Sequence, residues 1–462
     1  MLRLRVGPSK MRLMTHLVVM CLSMISGCVG PAIERGRGSV SLGIERRTGH
    51  GIEPASHAID DAGSSGVTMA DGISEDEAVA LALWNNAAFQ ESLADLGVTY
   101  ADLVQAGLLT NPTFSILFPL GPKQLEFTAL FPIEALWLRP RRIAMAETES
   151  ERLAERLVQN GLDLTRDVRV AYAEVIRSGK RAAFTEQATL LHAHIAELAE
   201  ARQRAGDASA LEISAARIDA QRAKEDAVRQ AAELMLAKER LQSLLGRTVS
   251  EGHWEFNEEP ALAQNEFDVQ LLIHEAYSAR PDLRAAELAI DSACQRAGLA
   301  RLEFIKLAGL ADANGAGDKG FEAGPGLQVE LPIFHRNEAG IARAEAEIER
   351  AVLRLKTVQH RISLEVMEAH TQFVQAREQH EIWQSQILPP SEEAVRQAER
   401  AFEGGESPLL LVLETTRRLL EARARSIDAE ANLRRAWAEL ERSVGRRLNR
   451  QQNEAESQEP TQ

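Results

Sequence analysis

The sequence is short of the features that mark several protein classes. After the N-terminal region no stretch of about 18 residues is apolar and free of charge, so no transmembrane helix is available. If the chain spans a membrane, it must do so with a β-barrel. Cysteine is scarce, three in 462 residues. Cys21 and Cys28 sit at the N-terminus and only Cys294 lies in the body, so no disulfide framework or Cys/His metal cage can form. A lone cysteine on a helical segment reads as a small core residue. With 30 Gly and 16 Pro the chain is too poor in both to be largely disordered or fibrous. Basic residues are outnumbered, 53 Lys and Arg against 68 Asp and Glu, for a formal charge of −15. That balance argues against nucleic acid as a partner, because neutralising phosphates takes clustered Lys and Arg.

What the chain has in quantity is Ala, Glu, Arg and Leu over long stretches, the composition of long helices and coiled coils. Its N-terminus reads as an export signal: Arg3, Arg5, Lys10 and Arg12 precede a mostly apolar run from Leu13 to Ile25. Ile25-Ser26-Gly27-Cys28 has the form of a lipobox, in which small residues admit the peptidase and the Cys28 thiol accepts a diacylglyceryl group. Val29 follows, with no Asp to signal inner-membrane retention, so a lipid-anchored outer-membrane location with a large periplasmic part is expected. The sequence implies no cofactor apart from that lipid on Cys28. The expected organisation is a signal peptide (1–27), a Gly/Ser-rich flexible or extended arm (28–72), a first repeat (73–246), a linker (247–266), a second repeat (267–445) and a disordered tail (446–462).

The two repeats follow one plan. Each begins with a helix ending near a polar pair, Asn85-Asn86 or Arg280-Pro281. Each then has a short extended region closed by Phe131-Pro132-Ile133 or Leu331-Pro332-Ile333. A very long helix follows, predicted at about 140–203 and 339–403. After a turn, a second helix closes at Gly246 or Gly445 as a C-cap would. At an offset of 198, Leu157, Leu164, Val168, Ala171 and Val175 fall on Leu355, Ile362, Val366, Ala369 and Phe373. The same offset maps Gly206, Ser209 and Leu211 onto Gly404, Ser407 and Leu409. Ile341, Ile348, Leu355, Ile362, Ala369 and Ala376 recur every seven residues, a coiled-coil seam. A helix of about 64 residues is near 95 Å long, a length few compact domains can use.

Strand signals are short and symmetrically placed. Thr113 to Phe118 and Leu125 to Phe131 read as a hairpin with Leu125, Phe127, Ala129 and Phe131 on one face. Leu327 to Leu331 alternates in the same sense, with a partner expected at about 302–311 and a Gly-rich loop from Asp312 to Phe321. Lys306 sits awkwardly in that partner. Apolar-out, polar-in alternation is the outer-membrane barrel signature, and four strands cannot close a barrel alone.

With these motifs in hand, the sequence from about residue 73 to 445 resembles the TolC-like outer-membrane efflux family. The resemblance rests on Ala106-Gly107-Leu108-Leu109-Thr110-Asn111-Pro112, on Leu327 to Phe334, on the two tip motifs and on the closing glycines. The segment from Pro332 to Ala344 is most similar to the heavy-metal (cobalt-zinc-cadmium type) branch. The resemblance implies a mainly α fold with a small β part: duplicated coiled-coil hairpins forming a trimeric α-barrel, with four strands per protomer in a shared twelve-stranded β-barrel. It implies a passive exit duct, not an enzyme, acting as a homotrimer in outer-membrane lipid with a periplasmic adaptor and an inner-membrane pump.

The family closes its tunnel near the helix tips with acidic rings. Aligning Val412-Leu413-Glu414-Thr415-Thr416 puts Glu414 on a gate position, while the preceding gate acid falls on Leu411, a departure. Glu406 in the turn is a second gate candidate. Arg204, Gly206, Asp207, Ser209 and Leu211, with Gly404, Gly405, Ser407 and Leu409, are the candidate adaptor-docking tips, and each hairpin is expected to be turned by Gly and capped by Ser or Asp.

No catalytic constellation or metal site is expected. His192 and His194 lie on different helix faces, and His360, His370 and His380 spread around theirs, so each reads as a surface or seam residue. There is no nucleophile elbow, P-loop or dinucleotide motif. Two readings without a pore compete. A periplasmic adaptor predicts one hairpin flanked by a β-rich segment, against the duplicated helices. A structural coiled-coil lipoprotein predicts no alternating strands at matching places.

Overall fold

A computed structural model describes residues 31–52, 72–118, 125–205, 209–247, 254–257, 266–315 and 321–448. Cys28 and the tail beyond residue 448 lie outside these. In chain order the elements are α1 (Pro31–Thr48), α2 (Glu75–Asn85), α3 (Ala87–Gly107), β1 (Thr113–Leu117), β2 (Glu126–Pro132), α4 (Glu134–Ala205) and α5 (Ala210–Leu244). There follow α6 (Val269–Ala279), α7 (Pro281–Ala300), β3 (Leu307–Gly315), β4 (Phe321–Val329), α8 (Glu338–Glu381), a π-helical segment (Ile382–Ile387), α9 (Leu388–Glu403) and α10 (Leu409–Val444). No helix among the described residues is long and apolar enough to cross a membrane.

The 72 residues of α4 span about 108 Å at 1.5 Å per residue. Its counterpart, α8 to α9, is interrupted once. Pro389 and Pro390 have no N–H to offer the carbonyls one turn back, and the helix widens to a π turn immediately before them. The heptad seam is buried along the second half of α8, at Ile362, Ala369 and Ala376 with Val366 and Phe373 between them, while Ile341, Ile348 and Leu355 are half-buried.

The four strands form one antiparallel sheet in the order β1-β2-β3-β4. The register sorts its faces. Ile116, Phe127, Ala313 and Ala323 are partners in one row, as are Phe114, Ala129, Ala311 and Pro325, and the Phe114 and Phe127 rings stack with centroids 5.9 Å apart. The other face carries Ser115, Thr128 and Asp312 in one row and Glu126, Asn314 and Glu322 in the next. There the Thr128 hydroxyl donates to Asp312 at 3.0 Å. The third strand therefore runs later than expected. Asp312 and Asn314 are strand residues rather than loop, and Lys306 precedes the strand, 3.8 Å from Glu330. β1 and β4 are the sheet's edges.

Three other expectations are corrected. Residues 31–48 form a helix laid against α4, not a flexible or extended arm. Its glycines are the reason: a Cβ on Gly43 would stand 2.7 Å from Val158, and one on Gly161 would stand 2.5 Å from Ile44. Small residues on both helices let the backbones close up and bury Val40 and Ile44 completely. Cys294 is exposed, not a core residue. Ser407 does not cap its helix; the N-cap of α10 is Pro408, with no side-chain hydrogen bond.

Each repeat is locked by the same contact. The residue between its two short helices reaches the end of its closing helix: Asn86 donates to the Leu244 carbonyl at 2.9 Å, and Arg280 to the Ser443 carbonyl at 3.1 Å. The closing glycines lie against Asn85 and Arg280, with φ of +77° at Gly246 and +85° at Gly445. A Cβ on Gly246 would stand 2.2 Å from the Asn85 carbonyl oxygen, and one on Gly445 2.9 Å from Arg280 Cγ.

The first repeat's α4 joins the second repeat along both α7 and α10, and much of the α10 seam is ionic. Arg166 meets Glu439 at 2.9 Å, Arg177 meets Asp428 at 3.2 Å, and Lys180 meets Glu430 at 2.8 Å. Arg435 pairs with Glu174, and Arg169 with Glu441, the last pair buried on both sides. Burial pushes the Glu174, Glu430 and Glu439 carboxyls up, but their cationic partners outweigh it and hold all three below the ordinary range.

Two predictions follow from these contacts. Gly246→Ala, forced into left-handed backbone against an immovable carbonyl, loses at least about 2 kcal/mol of stability. Gly97→Ala, in open space within α3, gains about 0.5–1 kcal/mol; denaturant melts of the two variants check the contrast. Carboxylates held below their unfolded pKa contribute stability above that pKa, near 4.3, and lose it as pH falls through the folded value. Melting temperature therefore stays level from pH 7 to 5 and drops below about pH 4, and Glu430→Gln starts lower at pH 7 with a smaller acid loss.

Candidate functional site at the joined helix tips

The far ends of both hairpins share one core. Ile195 and Ala199 of α4, Ile213 and Ala216 of α5, Ala398 and Phe402 of α9, and Val412 and Leu413 of α10 pack together. Arg202 adds a cation–π contact across the repeats, its guanidinium carbon 3.9 Å from the Phe402 ring centroid. The described tip residues of the two hairpins, among them Ser209, Leu211, Gly404 and Gly405, thus lie at one end of the molecule.

The first hairpin is capped as expected. Ser209 Oγ accepts from the Glu212 N–H at 3.2 Å, and Glu212 returns an acceptor to the Ser209 N–H at 2.8 Å. That backbone hydrogen bond holds the Glu212 carboxyl below its usual range. Arg204 is exposed, and Leu211 is 79% exposed. Gly206 and Asp207 lie outside the described residues, as does the side chain of Leu409. The second turn is built differently. Gly405 takes φ of +75°, and the Ala401 carbonyl accepts from the N–H groups of Glu406 at 2.8 Å and Ser407 at 3.2 Å. Gly404, Gly405 and Glu406 are exposed, while Ser407 Oγ is buried without a partner in the described structure.

Glu414 lies on the first turns of α10, 47% exposed, and accepts from Arg418 at 3.0 Å. Leu410 and Leu411 beside it are exposed at 59% and 44%. The end of the molecule thus offers exposed leucines and a carboxylate paired with Arg418 rather than two acids in succession.

One pair escaped the sequence reading. Asp219 of α5, only 5% exposed, accepts from the Arg417 guanidinium of α10 at 2.6 Å. Two guanidinium nitrogens converge on one carboxylate oxygen, at 2.9 and 2.6 Å. His192 of α4 is buried beside them. Burial lowers its pKa, the Asp219 charge opposes this and the Arg417 charge adds to it. The pair ties the second repeat's closing helix to the first's just behind the tips. A signal for it was present: Asp219 and Arg417 stand 198 apart, the offset that superposes the repeats. Among the described residues no group of three or more His, Cys, Asp or Glu is placed to hold a metal.

The family model described as "outer membrane efflux protein" matches residues 272–446. The cobalt-zinc-cadmium resistance protein CzcC of Cupriavidus metallidurans is 25% identical over 382 residues, 80% of this chain and 89% of that protein. Among solved structures, the outer membrane protein VceC of Vibrio cholerae aligns with a TM-score of 0.67 at 18% identity, covering 80% of this chain and 96% of its own. The CmeC outer membrane channel of Campylobacter jejuni aligns with a TM-score of 0.68 at 13% identity, covering 87% and 93%. Residues 272–446 therefore match the outer membrane efflux protein family, and four-fifths or more of the chain takes the fold shared by the solved VceC and CmeC structures.

Proposed function

We propose that this protein is the outer-membrane exit duct of a tripartite efflux system, a passive homotrimeric channel anchored by a lipid on Cys28. The observation that carries the reading is the four-stranded sheet with two open edges at one end of helices about 100 Å long. Unpaired edges invite further strands, and in a bilayer every backbone polar group must be paired, so an open sheet is tolerated only when closed into a barrel. β1 of one copy joining β4 of the next, three times over, would close twelve strands. The Phe114, Ile116 and Phe127 face would then turn to lipid, and the Thr128, Asp312 and Asn314 face to water.

On this reading the helical part carries the duct away from the membrane, and its tips form both gate and docking end. Substrate moves down its gradient through water, so the chain needs no catalytic step, and energy enters at an inner-membrane pump reached through a periplasmic adaptor. Exposed Leu211, Leu410 and Leu411 offer the adaptor apolar contact, and Arg204 and Glu406 offer charge around it. Glu414 is the gate acid, three copies facing one another across the threefold axis, and the Asp219–Arg417 bridge holds the tips in. Divalent metal cations are the proposed cargo, on the likeness to a cobalt-zinc-cadmium resistance protein and an acidic chain that favours cations by its field.

Single-channel recording of the purified protein in planar bilayers tests this. Wild type is expected to give discrete, low-conductance steps. Glu414→Ala enlarges them modestly. Arg417→Ala enlarges them more, because it leaves Asp219 buried without its cation, a loss of the kind that costs about 3–5 kcal/mol at fully buried pairs. Steps unchanged by both substitutions would remove the gate assignment, and intact trimers that never conduct would overturn the duct.

A further inference from the structure

A polar cleft of about 490 Å³ lies far from the tips, between α4, α7 and α8. It opens because the α7 face that meets both long helices is built of small residues. Ala285, Ala286, Ala289 and Ala293, at helical spacing, leave its floor unfilled. Its centre lies about 27 Å along α4 from the sheet-proximal end, as 18 residues separate Glu134 from Arg152.

The walls carry twice as many arginines as acids. Three arginines have carboxylate partners: Arg152 with Glu149, Arg296 with Glu347 at 3.3 Å, and Arg361 with Asp282 at 2.6 Å. Arg156, Arg350 and Arg354 also line the cleft, and none of them pairs with a carboxylate or donates a side-chain hydrogen bond among the described residues. They come from two helices, Arg156 from α4 and the other two one turn apart on α8. Arg156 feels this crowding: partial burial lowers its pKa first, then the Arg152 and Arg354 charges lower it further, while Glu149 opposes them. In a chain whose formal charge is −15, the cleft is an island with three cations in excess.

We propose that this cleft binds a multivalent oxyanion of the phosphate class. Guanidinium groups are rigid forks of donors matched to phosphate oxygens, and three from two helices can surround one tetrahedral or linked diphosphate group while the alanine floor leaves room for it. Without an anion the three cations repel one another across the gap. With one bound, α4 of the first repeat is tied to α8 of the second at a place where α7 alone now bridges them. The ligand is thus a stapling group between the repeats near the sheet end, where the tip bridge has no reach.

Calorimetric titration of the full-length, detergent-extracted protein with sodium pyrophosphate at constant ionic strength tests this. Saturable binding is expected, weakened at least about tenfold in the double variant Arg156→Gln, Arg354→Gln, since charge-assisted hydrogen bonds are lost. Ala289→Leu, which fills the floor and removes no charge, should weaken binding similarly, and Arg354→Lys should weaken it less than Arg354→Gln. Phosphatidylglycerol in the micelles distinguishes two sources of the same group: displacement of pyrophosphate assigns the site to a lipid phosphate, and no displacement to a soluble ion. Absence of saturable heat, equal binding by wild type and both cleft variants, or equal displacement by chloride would overturn the proposal. A neighbouring copy's carboxylates seated in the cleft would show as that absence of heat.

Discussion

The seam between α4 and α10 is the contact on which the rest of the molecule depends. The two long helices are each part of a thin, elongated layer, with a core on one stripe and water on the other. Such a layer has little apolar area per unit length to hold it together. The seam compensates with paired charges, Arg166–Glu439, Arg177–Asp428 and Lys180–Glu430, and with the buried Arg169–Glu441 pair. Ion pairs of this kind contribute modestly one by one, but they are directional. They hold α10, about 54 Å long, in a single register along the much longer α4, so that strands at one end and turns at the other come into place together.

That registration is what makes the two ends functional. At the sheet end it sets β2 beside β3, joining two hairpins from distant parts of the chain into one sheet with matched apolar and polar rows. At the tip end it brings Phe402 under Arg202 and Arg417 onto Asp219. Both ends are therefore chimeras of the two repeats, and a shift of one helical turn anywhere along the seam would dissolve both. The closing contacts at Gly246 and Gly445 act inside each repeat. They fix where each closing helix stops against its short helices, and hence where the seam begins.

Much of this was readable from residues alone. The 198-residue offset located equivalent seam positions, and the positive-φ glycines stand where a C-cap was expected. The first hairpin's alternation placed its strands. What misled was composition read locally. Gly36, Gly38 and Gly43 suggest a flexible arm, yet residues 31–48 are a helix packed on α4, and the missing side chains at Gly43 of α1 and Gly161 of α4 let the two touch. Asp312 and Asn314 suggest a loop, yet they lie in β3 because its polar face meets Thr128 and Glu126 rather than a core. Ser407 suggests a cap by analogy with Ser209, but a positive-φ Gly405 ends the preceding helix first.

The sequence by itself determined the long helices, the first hairpin, their duplication and the acidic, helix-rich character of the chain, because periodicity, turn residues and charge act over a few residues at a time. The tertiary structure alone decided which members of the two repeats meet. Asp219 with Arg417, Arg202 with Phe402 and the three unpaired arginines of the α4–α7–α8 cleft are close only once the two repeats pack side by side. Each residue looks, on its own helix, like an ordinary solvated or apolar position. For Asp219 and Arg202 the energy that singles them out is an interaction with a partner about 200 residues away, and no local pattern encodes that distance.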